Sequence, residues 1–368
     1  IMSRGLGDVY KRQVAQELDE KAEFSYDITA KMGELGLFGM YLPEKYGGQG
    51  LDTLSYIIAV EELARIDGSQ AATLAAHNSL GIGPIYYYGT EEQKMKYLPQ
   101  LCTGQALWGF GLTEPNAGSD SRGSKTTAKH DGNEWVIDGS KIFITNGSAD
   151  ISIGSSVQAV SGEENGKKIF STILVDKGTP GFKQVAMHGK MMWRASDTAE
   201  LYFDDCRVPK ENLLGEVGQG SKIMLSTLDN GRLSIAAMGL GLAQGAFELA
   251  RAYGNERKQF GKPVNQFQVN AFKLADMALK IELARNLLYK ACWLKDAGKP
   301  FGKESAMAKL YCSEIAREVA DDAVQIHGGY GLMKDYDIER HYRDARLLQI
   351  GEGTSEIQRL VISRYVNS

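Results

Sequence analysis

Glu352 stands between Gly351 and Gly353, just before Thr354 and Ser355, either of which suits the cap of a following helix. Flanking glycines leave a carboxylate accessible and let a ligand approach the backbone closely. Beside a buried ligand, desolvation would raise such a carboxyl above the ordinary ~4.3 and make it a general base for a weakly acidic proton. The other reading is a carboxylate serving the helix dipole, a task for which Glu356 is already placed one turn later. Other chemistries lack their residues. His77, His130, His188, His327 and His341 show no paired metal-ligand spacing. There is no Gly-x-Ser-x-Gly elbow and no Gly-x-x-x-x-Gly-Lys-Ser/Thr loop. Gly239-Leu240-Gly241 opens like a dinucleotide turn, but Gln244 occupies the third glycine's place and the setting is helical. Close helix packing is the expected role there.

Four further segments carry residues that hold planar or charged ligands. Residues 110–120 (Phe-Gly-Leu-Thr-Glu-Pro-Asn-Ala-Gly-Ser-Asp) leave a strand and enter a loop rich in hydroxyls and free N–H groups. They make either a ligand-holding loop or a plain surface turn. In residues 141–147 (Lys-Ile-Phe-Ile-Thr-Asn-Gly), Phe143 and Thr145 share one face of a strand. A ring beside a hydroxyl suits a planar cofactor, and a core aromatic is the equal alternative. Arg257 precedes a long helix that has Gln268 in its first turns. A guanidinium there suits a pyrophosphate, or the stretch is a solvated basic loop. Residues 325–331 (Gln-Ile-His-Gly-Gly-Tyr-Gly) end a helix with glycines where backbone could approach a ligand.

The elements that must position these residues fall into three blocks. Up to residue 106 the pattern is helical. Leu18, Phe24, Ile28, Met32 and Leu35 recur at helical spacing before a stop at Gly36, and residues 54–63 and 71–87 read as buried helices. Thr90 and Gln93 form a capping box. From residue 107 to 218 short apolar runs at 135–137, 142–145, 170–175 and 200–203 read as strands, with Asp138-Gly139 as a hairpin turn. From residue 219 to 368 the chain is helical again. Phe267, Ala271, Leu274, Ala278, Ile281, Leu288 and Cys292 place one apolar stripe on a helix of ~40 Å. Residues 1–13 read as a non-native, adapter-derived segment, with the first native helix truncated and any targeting signal lost.

Composition narrows the function further. A net charge of −4 gives no basic footprint for nucleic acid, and no uninterrupted apolar run approaches the ~18 residues of a membrane span. Cys102, Cys206, Cys292 and Cys312 are widely spaced, which argues against a disulfide framework and for a reducing compartment.

Taken in this order on an α–β–α layout, the segments resemble the acyl-CoA dehydrogenase family, from about Val14 to the C-terminus. Ser-Lys-Ile-Phe-Ile-Thr-Asn-Gly, Glu-Arg-Lys-Gln-Phe-Gly and Glu-Gly-Thr-Ser-Glu-Ile-Gln-Arg are close to the family's forms, and residues 207–215 are similar to its exit from the β domain. The resemblance implies an α+β fold: an N-terminal α-helical domain, a middle antiparallel β-barrel-like domain and a C-terminal four-helix bundle. It implies FAD as cofactor, contacted by Phe110, Leu112, Thr113, Ser119, Phe143 and Thr145. Arg257, Phe260, Gln268, Gln325 and Gly329 would reach the FAD of a neighbouring subunit, and Thr354 and Glu356 would lie near its adenosine and pyrophosphate. Ser119, Asp229, Arg232 and Gly353 would bind the substrate, and Glu352 would be the catalytic base. Some relatives carry the base on the helix of Asp229 and Arg232; Gly231 stands at that position here. Phe143 replaces a frequent Trp, Gly351 a frequent Tyr, His327 a common Phe and Asn116 a frequent Gly.

The expected activity is FAD-dependent α,β-dehydrogenation of a short- to medium-chain acyl-CoA, with electrons passed to electron-transfer flavoprotein from a homotetramer built as a dimer of dimers. The alternatives are an acyl-CoA oxidase, or a non-catalytic CoA- or FAD-binding assembly protein of the same fold. A cytoplasmic bacterial enzyme is expected, with the mitochondrial matrix as the other setting. No metal site is expected.

Overall fold

A computed structural model describes residues 12–367. The segment expected to be adapter-derived lies outside the described residues, apart from Arg12 and Gln13 at the start of the first helix. Continuous helical spacing from Leu18 to Leu35 is corrected by a break. Helices α1 (Arg12–Lys21) and α2 (Tyr26–Glu34) are separated at Ala22, and Ser25 caps α2 by accepting from the Ile28 N–H. Helices α3 (Thr53–Ala64) and α4 (Gly68–Ala76) follow, each opened by an aspartate cap, Asp52 and Asp67. The run expected as one helix to residue 87 is interrupted: α4 passes through a π turn (His77–Ile82) into α5 (Gly83–Tyr88). Pro84 explains the widening, since it has no N–H to return to the carbonyl four residues back. The capping box opens α6 (Glu91–Leu101), with Gln93 N donating to Thr90 Oγ1 at 3.2 Å and Thr90 N to Gln93 Oε1 at 3.0 Å. Gln93 also reaches the middle block, its Nε2 donating to the carbonyls of Glu211 and Leu213 at 2.8 and 2.9 Å.

The middle block contains β1 (Leu107–Gly111), β2 (Thr127–Asp131), β3 (Glu134–Thr145), β4 (Ser152–Glu164), β5 (Lys167–Asp176), β6 (Phe182–Ala186), β7 (Thr198–Pro209) and β8 (Leu213–Leu214). They form one sheet ordered β6-β7-β3-β2-β4-β5-β8, with β1 attached to β4. Pairing is antiparallel except where β4 meets β1 and β2, which run parallel to it. Asp138-Gly139 is corrected from a hairpin to a kink inside one long strand. Gly139 sits at φ +141°, and a Cβ there would meet Thr126 at 2.6 Å, so the strand bends over its neighbour instead of reversing.

Three long helices follow: α7 (Gly220–Glu256), α8 (Gln268–Asp296) and α9 (Gly302–His327), then α10 (Ile338–Ala345) and α11 (Ser355–Val366). Helix α7 is long and apolar enough by composition to cross a membrane, and 78% of its most apolar window is buried inside the fold. The glycines of Gly239-Leu240-Gly241 do serve packing. Added Cβ atoms would lie 2.7 Å from the Cys312 carbonyl oxygen and 2.2 Å from that of Glu61, and one on Gly245 would lie 2.2 Å from that of Arg65. One core therefore joins Val60 and Ala64 of α3 to Leu233, Ala236 and Leu240 of α7 and Cys312, Ala316 and Val319 of α9. The stripe on α8 differs from its expectation. Ile281, Leu288 and Cys292 are buried, but Ala271 and Ala278 are exposed. Before Met277 the helix leaves Val269 and Phe272 open to solvent, while Lys273 pairs with Asp322 of α9 on its other side.

Candidate active site

The end of β1, the end of β3, the π turn, α7 and the turn before α11 enclose a cavity of about 460 Å³. Each wall is fixed by its own chemistry. The loop after β1 is held to β3 by a buried pair: Lys141 Nζ donates to Glu114 Oε1 at 2.8 Å and to the Leu112 carbonyl at 3.2 Å. The Ile142 N–H donates to the Thr113 carbonyl at 2.9 Å, and Glu114 also accepts from the N–H groups of Lys125 and Thr126. Burial pulls Lys141 down to about 8 while Glu114 opposes the shift. Asn146 ties the end of β3 to α4 through its Nδ2 and the Thr73 carbonyl at 3.0 Å. His77 pins the π turn. Its Nδ1 accepts from the Trp108 N–H at 3.3 Å and its Nε2 donates to the Leu101 carbonyl at 2.8 Å. Burial drives this imidazole down to about 4, so it stays neutral.

Glu352 closes the cavity from the side of α11. It sits at φ +52° and Gly353 at φ +92°, a left-handed turn that glycine adopts freely and glutamate does not. Gln358 Nε2 holds that turn by donating to the carbonyls of Glu352 (3.1 Å) and Gly353 (2.9 Å), and Lys309 Nζ donates to the Gly353 carbonyl at 2.6 Å. The carboxylate lies against α7 where Gly231 offers no side chain; a Cβ there would stand 1.9 Å from Oε2. Oε2 is buried with no hydrogen-bond partner. Burial pushes Glu352 up to about 7, against the pull of Lys309 and Arg232. Its own N–H donates to no protein acceptor among the described residues.

Of the residues singled out in the sequence, Phe110, Leu112, Thr113, Ser119, Phe143, Thr145, Arg232, Glu352, Gly353 and Thr354 all line this cavity. Phe143, at φ +62°, holds its ring 64% exposed at a bulge in β3. Asp229 lies one turn before Arg232 on α7 and accepts from its guanidinium; burial raises it while Arg232 pulls it down. Glu356 stands outside the cavity, fully exposed in the first turn of α11, whose cap is Thr354. Arg257 and Gly329 belong to a second cavity, with Tyr253, His327 and Tyr330. Phe260 is 94% exposed, and Gln268 and Gln325 are exposed too.

The acyl pocket was expected around residues 76–84, and Ala76 and Leu80 do line the cavity; Ala72, Ala75, Lys190 and Trp193 were not found from sequence. Ala72, Ala75 and Ala76 of α4 and Leu80 of the π turn form an apolar wall, and Lys190 and Trp193 lie in the segment between β6 and β7. Asp344 supports that segment, Oδ1 accepting from the Trp193 N–H at 2.8 Å while Oδ2 is buried without a partner. Lys309 carried a signal: it interrupts the small-residue face Ala306, Ser313, Ala316, Ala320 of α9 at 3- and 4-residue spacing. A site with apolar walls, hydroxyls from Thr113, Ser119 and Thr145, an exposed ring at its mouth and an orphaned carboxylate oxygen fits a planar redox cofactor with an apolar substrate.

Three family profiles match the chain: acyl-CoA dehydrogenase N-terminal domain over residues 6–105, middle domain over 109–206 and C-terminal domain over 218–366. The probable acyl-CoA dehydrogenase YngJ of Bacillus subtilis (strain 168) is 51% identical, over 97% of this chain and 94% of the relative. Butyryl-CoA dehydrogenase from Megasphaera elsdenii superposes with a TM-score of 0.96 at 43% identity, covering 100% of this chain and 97% of that one. A chain from a structure described as the electron transferring flavoprotein of Acidaminococcus fermentans also has a TM-score of 0.96, at 45% identity, covering 99% and 96%.

Proposed function

The chain belongs to the acyl-CoA dehydrogenase family, and from that membership we propose that it converts a short- to medium-chain acyl-CoA to the trans-2-enoyl-CoA. Members of the family are FAD-dependent oxidoreductases acting on CH–CH groups. FAD, when bound, supplies the hydride acceptor. Phe110, Leu112, Thr113, Ser119, Phe143 and Thr145 would hold it in the cavity, with Thr354 and Glu356 beside its nucleotide portion.

Glu352 removes the α-proton. The observation that carries this is its buried carboxylate, whose Oε2 faces no protein donor in an apolar cavity. Desolvation there makes the carboxylate a stronger base, matched to a neutral working pH. The Glu352 N–H, unengaged by the protein among the described residues, would donate to the thioester oxygen as negative charge develops on it. Arg232, Asp229, Ser119 and Gly353 would orient the acyl-CoA. The small side chains Ala72, Ala75 and Ala76 leave room for a straight acyl chain, and the butyryl-CoA dehydrogenase of Megasphaera elsdenii supports the shorter end of the range.

The exposed side chains of Phe260, Gln268 and Gln325, and the cavity of Arg257 and Gly329, belong in this reading to the FAD of a neighbouring subunit. The open stripe of Val269, Phe272, Leu279 and Leu283 on α8 supports a homotetramer. Electron-transfer flavoprotein is the proposed acceptor, in keeping with the Acidaminococcus structure.

The test is single-turnover flavin reduction by butyryl-CoA in stopped flow. Glu352→Gln keeps the backbone donor and removes the base, so reduction should slow by roughly 10²–10⁴-fold while FAD and acyl-CoA still bind. Reduction within tenfold of the parent removes Glu352 from this role.

A further inference from the structure

Lys309 is fully buried on α9, and the only hydrogen bond of its ammonium among the described residues goes to the Gly353 carbonyl. An ammonium has three donors and is costly to bury without an anion. Arg232 of α7, also near, is a second cation and opposes it. The acidic groups that act on Lys309 are Glu352 in the turn, Glu356 on α11 and Glu314 on its own helix. Glu356 and Glu314 lie outside the cavity, on α11 and α9, and Glu314 pairs with Arg359. Glu352, whose neighbour Gly353 the lysine grips and whose Oε2 is buried without a partner, is therefore the buried anion nearest to hand, coupled to Lys309 through that turn and not by a direct ion pair. Besides Lys309 and Arg232, Tyr56 of α3 is the other titratable group near it, and its hydroxyl is engaged by Ser234 and Ala75.

Resting on the assignment of Glu352 as base, we propose that Lys309 is its positioning residue, clamping the carbonyl behind the carboxylate and keeping the carboxylate ionised inside an apolar cavity. The two tasks are separable. Gln358 already grips the same turn with two hydrogen bonds, so the turn survives loss of the lysine. Among the described residues, no second group combines the clamp with a charge. Burial pulls Lys309 down to about 8, which still leaves it mostly protonated at neutral pH.

The experiment compares the parent with Lys309→Gln, which retains a donor without charge, and Lys309→Met, which retains neither. The readout is the pH profile of single-turnover flavin reduction by butyryl-CoA. Both variants should move the acid limb upward by at least about one pH unit and recover much of the parental rate at alkaline pH. A slower rate with an unmoved acid limb means a merely structural lysine and overturns the proposal. Infrared titration gives a second measure. The protonated-carboxyl band lost in Glu352→Gln should have its midpoint at higher pH in Lys309→Met than in the parent. The same midpoint in both overturns the proposal. If Glu352→Gln reduces its flavin normally, the base assignment fails; if it is inactive and the lysine variants keep the parental limb, only the role of Lys309 fails.

Discussion

Gly231 of α7 and Glu352 interlock: the carboxylate occupies the volume that any side chain at position 231 would need, its Oε2 only 1.9 Å from where a Cβ would be. The helix thus gives up a side chain at the point where the base enters the cavity. Leu80 of the π turn crowds the same point, at 3.0 Å from that Cβ position.

Gly231→Ala should therefore displace the carboxylate without touching the chemistry of any group. A shift of ~1 Å in a reacting group can cost ~10²-fold, and a loss of that order is expected in stopped-flow flavin reduction with the flavin still bound. Parental kinetics in Gly231→Ala would show that the carboxylate has other room.

Arg257 lies in the second cavity with its guanidinium 5.6 Å from the centre of the Tyr330 ring. Arg257 is exposed in the single chain, and in the proposed assembly a neighbouring subunit's FAD would cover it, so Arg257→Ala should weaken flavin retention and assembly together; truncating a charged contact buried in that way costs ~2–5 kcal/mol. Gel filtration with the flavin-to-protein absorbance ratio checks this. A fully flavinylated tetramer in the variant contradicts the shared-site arrangement.

Asp344 gives a pH-dependent stability. Burial raises its carboxyl from 3.8 to about 7, despite Arg340. Between those values the native state keeps a proton that the unfolded chain has released, so its contribution is full below 3.8 and lost as pH rises through about 7. Asp344→Asn keeps an acceptor for Trp193 and removes the titration. Thermal melts should show the variant gaining ~1–3 kcal/mol over the parent at pH 8 relative to its difference at pH 4. A pH-independent difference would contradict it.

The capping box predicts an order of stabilities. Thr90→Ala loses one cap and should cost ~1 kcal/mol. Gln93→Ala also strips two carbonyls, of Glu211 and Leu213, of their partner and should cost ~2–3 kcal/mol. Denaturant melts that reverse this order would show that the link to the middle block is dispensable.

Much of this was legible in the sequence because it rests on local rules. The capping box, the α–β–α order and the packing glycines of α7 follow from spacing alone. Most of the motif residues around the cavity came together because they lie where a strand closes or a helix opens; Arg232, inside α7, is the exception. What stayed hidden depends on tertiary context. Asp138-Gly139 has the composition of a turn, and only its close approach to Thr126, where glycine leaves room, shows it to be a kink. The π turn is a response to Pro84 that apolar periodicity does not register. On α8, Ala271 and Leu288 belong to one stripe in a hydrophobic pattern, yet only Leu288 is buried, because exposure is settled by which neighbours the single chain supplies. Lys309 was visible as a charge on a small-residue face, but its anion lies on a segment distant in sequence.

The backbone contacts of Gly239, Gly241 and Gly245 also set the order in which the molecule can be completed during synthesis. The carbonyls of Glu61 and Arg65, and the inward faces of Val60 and Ala64 beside them, wait for α7, which leaves the ribosome only after the entire middle block. The core that the first helices share with α7 stays open in the interval, so a nascent chain stalled before residue 220 leaves that apolar face uncovered.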